Sequence, residues 1–274
     1  MEDLAKLAYQ LRGDVVDIIV HGKGGHIGGD MSVMEVLVTL YCSVMNVTPE
    51  NFGSGQHDHF IMSKGHSVEA LYAVLAHKGF FPLEQVLAEF SQFGSQFIGH
   101  PNNKLPGIEM NSGSLGHGLP VAVGMALAEK MNHSTNRVYV VMGDGELAEG
   151  SVWEGAMAAA NYHLGNLCAV IDRNRLQISG STEDVMALDD LAAKWRAFGW
   201  NVINVEDGNS VEQLKAAFAA AKTVSDQPTM VLANTVKGKG SAVMENKAGW
   251  HHHVPNQAEY DQIMADLKAH QEEA

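Results

Sequence analysis

Proline and cysteine are scarce in this chain of 274 residues, at 7 and 2. Two thiols, Cys42 and Cys168, each set in an apolar run, cannot make a disulfide framework. They read as small core residues of a protein from a reducing compartment. Cationic side chains are also few: 18 Lys and Arg against 32 Asp and Glu leave a formal net charge of −14. A chain this acidic lacks the basic face that nucleic acid or anionic lipid requires. The opening MEDLAKLAYQ puts acids where a signal peptide needs cations. No apolar run approaches the roughly 20 residues that span a bilayer. These absences predict a soluble, cytoplasmic protein with neither a nucleic-acid nor a membrane partner.

Hydrophobic residues make up 46% of the chain, enough for a full core, and the 28 glycines suit many tight loops. Helical spacing runs through EDLAKLAYQLRGDVVDIIVHG, and a glycine-rich turn, GKGGHIGGD, follows. SVMEVLVTLYCSVM predicts a helix capped by Asp30 or Ser32. HFIM reads as a short strand, VEALYAVLAHKG and PLEQVLAEFSQFG as helices, and residues 95–116 as irregular. From GLPVAVGMALAEKM onward the pattern alternates: strands RVYVVMGDG, LCAVIDRN, WNVINV and TMVLANTV are separated by helices, one of them MALDDLAAKWRAFG. Residues 237–256 are again irregular and a polar helix closes the chain. Continuous apolar strands between helices predict an α/β fold, a mainly parallel sheet covered on both faces. No repeat or linker divides it, so residues 1–274 are expected to form one domain.

The segment VYVVMGDGELAEG ends a buried strand in a carboxylate held between two glycines. Ligands of open parallel sheets bind outside the carboxyl ends of the strands. Asp144 sits at such an end. A helix starting near Glu149 would aim its positive end into the same crevice, where it favours phosphate. The next strand ends at Asn174, 30 positions on and one crossover away. Two hard oxygen ligands at adjacent strand ends suit a cation such as Mg²⁺, which completes its octahedron with phosphate oxygens and water. Gly145 would let the backbone approach a phosphate closely. GKGGHIGG follows a helix rather than a strand, which argues against a Rossmann-type nucleotide binder.

GDGELAEG followed by Asn174 resembles a thiamine diphosphate-binding motif, and the flanking sequence narrows the resemblance to the transketolase family. Blocks similar to that family are KGGHIGG (23–29), SKGHSVEALYAVL (63–75), GHPNNKLPGIEMNSGSLGHGLPVAVGMALA (99–128), GDGELAEGSVWEGAMAAANY (143–162), DRNRLQISG (172–180) and KGKGSAVMEN with WHHHVP (237–255). They cover most of the chain in order. The resemblance implies that Asp144, Asn174 and the Leu176 carbonyl hold Mg²⁺, or Ca²⁺ or Mn²⁺ in its place. It implies that Gly113 and the Leu115 backbone touch the cofactor and that Glu149 lies near it against the partner chain. It places His66 on the diphosphate, His26 near the substrate oxygens and His100 near the reacting carbon. In WHHHVP, keeping the tryptophan in register selects His251, whereas counting back from the proline selects His252. Imidazole suits these tasks because it donates to phosphate or moves a proton near neutral pH. His117 stands where the family commonly has glutamine.

In such enzymes the thiazolium of thiamine diphosphate supplies the carbon that takes a two-carbon ketol unit from a ketose and passes it to an aldehyde. The resemblance places the glutamate that activates the cofactor on a pyrimidine-binding domain, and residues 1–274 are expected to hold neither that domain nor the family's C-terminal one. The resemblance therefore implies the N-terminal subunit of a split transketolase, acting on sugar phosphates with a separately encoded C-terminal subunit in a heterotetramer of two of each. Three other readings stand beside it. One is the alpha chain of a 2-oxo acid dehydrogenase, another a subunit similar to deoxyxylulose phosphate synthase, and the last a non-catalytic cofactor-binding subunit.

Overall fold

The structure is a computed structural model and describes residues 2–274. Five strands form a single parallel sheet: β1 (His59–Met62), β2 (Val138–Gly143), β3 (Leu167–Arg173), β4 (Asn201–Val205) and β5 (Thr229–Asn234). Their spatial order is β1-β2-β3-β5-β4. All four pairings are parallel, with Gly143 opposite Asp172 and Asp172 opposite Ala233 at the carboxyl ends.

Ten helices surround the sheet: α1 (Leu4–Gly22), α2 (Ile27–Thr39), α3 (Val68–His77), α4 (Leu83–Glu89), α5 (Gly118–Met131), α6 (Gly150–Asn161), the single turn α7 (Thr182–Val185), α8 (Leu191–Ala197), α9 (Val211–Lys222) and α10 (Gln257–Glu273). The strands alternate their side chains between two cores, as the pleat requires. Tyr139, Val141, Cys168 and Val170 pack with α1, α2, α3 and α9 on one face. Val138, Val140, Met142, Ala169 and Ile171 pack with α5, α6 and α8 on the other. The expected two-sided parallel sheet is therefore present, and the irregular stretch 95–116 holds no regular element.

Several helix boundaries differ from the sequence expectation, at α2, at α8 and at α4, which ends at Glu89 within PLEQVLAEFSQFG. α2 begins at Ile27, not after Asp30, so the Gly28-Gly29 pair lies inside its first turn. A Cβ on Gly28 would sit 2.6 Å from the Trp250 carbonyl oxygen, so the pair lets this turn press against the 248–252 loop. Asp30 does not cap α2; its carboxylate accepts from the Ala70 amide (2.9 Å) in the first turn of α3. The helix expected over MALDDLAAKWRAFG is also shorter, limited to α8 (Leu191–Ala197). Asp189 adopts a left-handed φ of 51°, and Asp190 caps α8 by accepting from the Ala193 amide at 2.9 Å. Together with the π-helical turn Leu40–Val44 that continues it, α2 forms an 18-residue stretch, Ile27–Val44, long and apolar enough to cross a membrane, contrary to the sequence reading. It is 83% buried within the fold, as a core helix is.

Arg12 of α1 and Glu35 of α2 form a bidentate pair with both N–O distances at 2.6 Å. Arg12 also donates to the Met31 carbonyl, and Glu35 accepts from Asn209 at 2.8 Å. The pair fixes the register of the two helices that carry the first glycine-rich loop.

Candidate active site

The carboxyl ends of β1, β2, β3 and β5 open into one cleft of about 400 Å³. Of the residues singled out in the sequence, His26, His66, His100, Gly113, Leu115, Asp144, Gly145, Asn174, Leu176 and His251 all line it. They reach it from six separate segments, so the fold gathers what the chain disperses. Glu149 and His252 do not line it. Glu149 is exposed and flanks Gly116, where an added Cβ would lie 2.6 Å from the Glu149 Cβ. A 3₁₀ turn, Gly145–Ala148, leads from the strand end to α6, which starts at Gly150 with Glu149 as its N-cap, where the sequence expectation placed it. A Cβ on Gly145 would lie 2.9 Å from the Gln177 side chain, so its close approach is to this chain's own loop.

Asp144 is buried at the end of β2. Its carboxylate accepts from the Gly145 amide (2.8 Å) and the Arg175 amide (2.6 Å). Arg175 takes a left-handed φ of 65°, and the charge-assisted bond to Asp144 offsets that strain. Burial first, and the nearby Asp172 second, push the Asp144 carboxyl up to about 6. The Asn174 amide nitrogen donates to Ser32 (3.2 Å) and Asp172 (3.3 Å), and its oxygen accepts from the Leu176 amide at 3.1 Å. The Leu176 carbonyl accepts from the Lys237 ammonium at 3.1 Å, so this oxygen already serves a cation. One carboxylate, one amide oxygen and one carbonyl on the same cleft are a donor set that fits a hard divalent ion bridging to phosphate.

In the same cleft His26 forms the hub of an imidazole cluster. Its ring centroid lies 5.6 Å from that of His66, 5.9 Å from His100, 5.6 Å from His251 and 4.8 Å from His252. Burial, with the neighbouring imidazoles and Lys237 and Lys64 behind it, lowers His26 to about 4. Burial and then Lys237 lower His251 to about 3, burial sends His66 well below its ordinary value, and burial also lowers His100. These rings are therefore neutral at pH 7, and act as directional hydrogen-bonding groups rather than fixed cations. His26 keeps a buried Nδ1 without a partner among the described residues, which leaves it available to a ligand. Both candidates from WHHHVP reach His26, but only His251 faces the cleft, held by Lys237 at 2.9 Å from its Nδ1. His253 turns away to Glu259 (2.9 Å), so the three consecutive histidines do not converge on one point.

Four residues that sequence reasoning did not single out complete the site. Lys64 and Lys237 supply the positive charge that neutral imidazoles cannot, and both line the cleft. Burial first, then Lys64, lower Lys237 to about 8. Lys64 pairs with Asp172 and donates to the Gly29 carbonyl at 3.1 Å, tying α2 to β3. Glu146 is buried below GDG and accepts from Ser63 Oγ, the Gly116 amide (2.9 Å) and the Gly143 amide (3.1 Å). It thereby staples the ends of β1 and β2 to the loop before α5. Glu146→Ala would orphan three buried donors at about 1–3 kcal/mol each. The expected loss of stability is at least about 2 kcal/mol by urea unfolding, with Glu146→Gln much milder; equal midpoints for both variants and the parent protein would reject the staple.

Comparison with known proteins agrees with this geometry. Residues 4–272 match the family described as transketolase, thiamine diphosphate binding domain. The chain is 45% identical over 97% of its length to an apulose-4-phosphate transketolase subunit of Phocaeicola vulgatus, covering 94% of that protein. It is 41% identical to a 6-deoxy-6-sulfo-D-fructose transketolase subunit of Clostridium sp., over 89% of this chain and 88% of that one. Human transketolase is 38% identical over 92% of the chain, but the chain spans only 40% of that protein. Among solved structures, a transketolase from Pichia stipitis superimposes with a TM-score of 0.89 at 28% identity, covering 99% of this chain and 44% of that one. The chain belongs to the transketolase family, in which it corresponds to the thiamine diphosphate-binding domain.

Proposed function

We propose that this chain is the diphosphate-binding subunit of a two-chain transketolase, transferring a two-carbon ketol unit from a ketose phosphate to an aldose acceptor. The observation that carries the reading is the convergence, in one cleft, of the Asp144–Asn174–Leu176 oxygens and the neutral histidine cluster. In this reading the three oxygens would hold Mg²⁺, or Ca²⁺ or Mn²⁺ in its place, and the ion would neutralise diphosphate charge. Lys64 and Lys237 would add positive charge, and His66 and His251 would serve as hydrogen-bond donors to the diphosphate. His26 and His100, low in basicity, orient the sugar and can hold or pass a proton at its hydroxyl oxygens. Thiamine diphosphate would supply the nucleophilic carbon.

Relatives named as single subunits of a transketolase, which this chain matches nearly end to end, support a separately encoded partner that carries the pyrimidine-binding domain. We propose a heterotetramer of two of each chain, with residues 1–274 as one domain. Two free thiols suit a cytoplasmic setting.

The test is reconstitution. The purified chain, supplied with thiamine diphosphate and Mg²⁺, is expected to show no ketol transfer from xylulose 5-phosphate, and addition of the partner chain is expected to restore it. Transfer by the chain alone would refute the two-chain reading. Turnover of pyruvate in place of the ketose by the reconstituted pair would move the assignment to 2-oxo acid chemistry.

A further inference from the structure

The amino end of the sheet carries a second convergence of metal-binding groups, away from the cleft at its carboxyl end. His59 is the first residue of β1, which is an edge strand, and His57 lies two positions before it. Both rings aim at the same oxygen of Glu109: His57 Nε2 stands 2.9 Å and His59 Nδ1 2.8 Å from Oε1. These three ligand atoms lie within 4.8 Å of one another. The other ring nitrogen of His59 faces Glu129 Oε1 at 3.1 Å, and Glu129 in turn accepts from Asn136 at 3.0 Å. A carboxylate behind a ligating imidazole fixes the tautomer and aims the free nitrogen, the usual outer support of a metal-bound histidine.

We propose that His57, His59 and Glu109 form a binding site for a transition-metal divalent cation of the zinc class, with Glu129 orienting His59. Two imidazole nitrogens and one carboxylate oxygen are a three-protein-ligand zinc set with one position left for water. Nitrogen donors discriminate against Mg²⁺, so the two sites would not compete for one metal. The side chains are 4%, 12% and 16% exposed for His57, His59 and Glu109, shielded yet reachable from solvent.

The position suggests what such an ion would do. Glu109 belongs to the irregular stretch that tracks the edge strand. At the far end of β1, Ser112 donates to the Met62 carbonyl at 2.6 Å. The next residues, Gly113 and Leu115, enter the cleft, as does His100 from the start of the same stretch. An ion at Glu109 would pin this segment to the sheet at its amino end and so hold the cleft wall in register.

Co²⁺ is the probe, titrated into the assembled enzyme with excess Mg²⁺ and thiamine diphosphate already bound. The expected result is one Co²⁺ per chain, with a visible absorption band of low-coordinate geometry that Zn²⁺ abolishes. His57→Gln and Glu109→Gln should each weaken binding at least tenfold, and Glu129→Gln should weaken it less. Zn²⁺ should raise the thermal midpoint of the parent protein and leave that of His57→Gln unmoved, a readout that stands even where Glu109→Gln misfolds. No stoichiometric band, or a band unchanged in His57→Gln, would leave the cluster a plain histidine–carboxylate network and overturn the proposal. Because the readouts are binding and melting, failure here is independent of whether the cleft performs ketol transfer.

Discussion

Asp144→Ala is expected to lower ketol transfer by the reconstituted enzyme a hundredfold or more, with a matching loss of affinity for thiamine diphosphate in the presence of Mg²⁺. Outer-shell partners of a metal already cost about 10–100-fold when removed, and a direct charged ligand should exceed that. Asp144 is the one carboxylate in its donor set; Asn174 and Leu176 offer neutral oxygens. The environment shows why the position demands a cation. Burial and Asp172 raise the Asp144 carboxyl to about 6, so its ionised form is held at a cost that a divalent ion removes. Asp144→Ala also leaves the Gly145 and Arg175 amides without their acceptor, so Asp144→Asn is the necessary companion. The asparagine deletes the charge and keeps one acceptor oxygen, which can serve the Arg175 amide of the loop, while its NH₂ cannot accept from the Gly145 amide. Both variants should lose cofactor affinity by calorimetric titration, while only the alanine variant should also loosen the 175–181 loop. Full cofactor affinity in Asp144→Asn would remove the metal from the mechanism.

Why some of this site could be read from the sequence and some could not is a matter of distance along the chain. Asp144 and Asn174 end consecutive strands whose apolar runs are unmistakable, because a parallel sheet covered on both faces leaves no polar alternation to confuse them. The histidines stand in glycine-rich segments, where an imidazole has little reason to be core. Lys64 and Asp172 carry no such signal. A lysine in SKGHS reads as a solvated cation until the fold brings it to a carboxylate 108 positions away and buries both. Along the chain Glu146 is one of two equivalent acids after GDG. The intervening 3₁₀ turn sends Glu146 inward to three donors and leaves Glu149 at the surface. The start of α2 is hidden for a related reason. Gly28-Gly29 is a turn signal by local propensity, and only its packing on Trp250 makes it the first turn of a helix.

The largest expected change in stability belongs to Asp172, at the end of β3. It is fully buried, and its carboxylate accepts from Lys64, Thr235, Ser32 (2.6 Å) and Asn174 (3.3 Å). Asp172→Ala would strand the Lys64 ammonium, itself 1% exposed, with the Gly29 carbonyl as its remaining partner. Breaking a buried pair from one side costs about 3–5 kcal/mol, because the surviving charge has no compensation. Against a total of about 5–15 kcal/mol for a folded domain, this is a large fraction. The urea midpoint should fall accordingly, with the slope unchanged. Adding Lys64→Met to Asp172→Ala removes the stranded charge, so the double variant should be more stable than the single one, a non-additivity expected of residues in contact. Function should not follow stability. Asp172 also holds the Asn174 amide nitrogen, which leaves the amide oxygen turned to the Leu176 amide, and Lys64 is a cation of the cleft. The double variant should therefore refold well and still bind thiamine diphosphate at least tenfold more weakly than the parent. Recovery of both properties together would mean that the pair is structural only, and a loss under about 1 kcal/mol in Asp172→Ala would mean that Lys64 finds other solvation once its partner is gone.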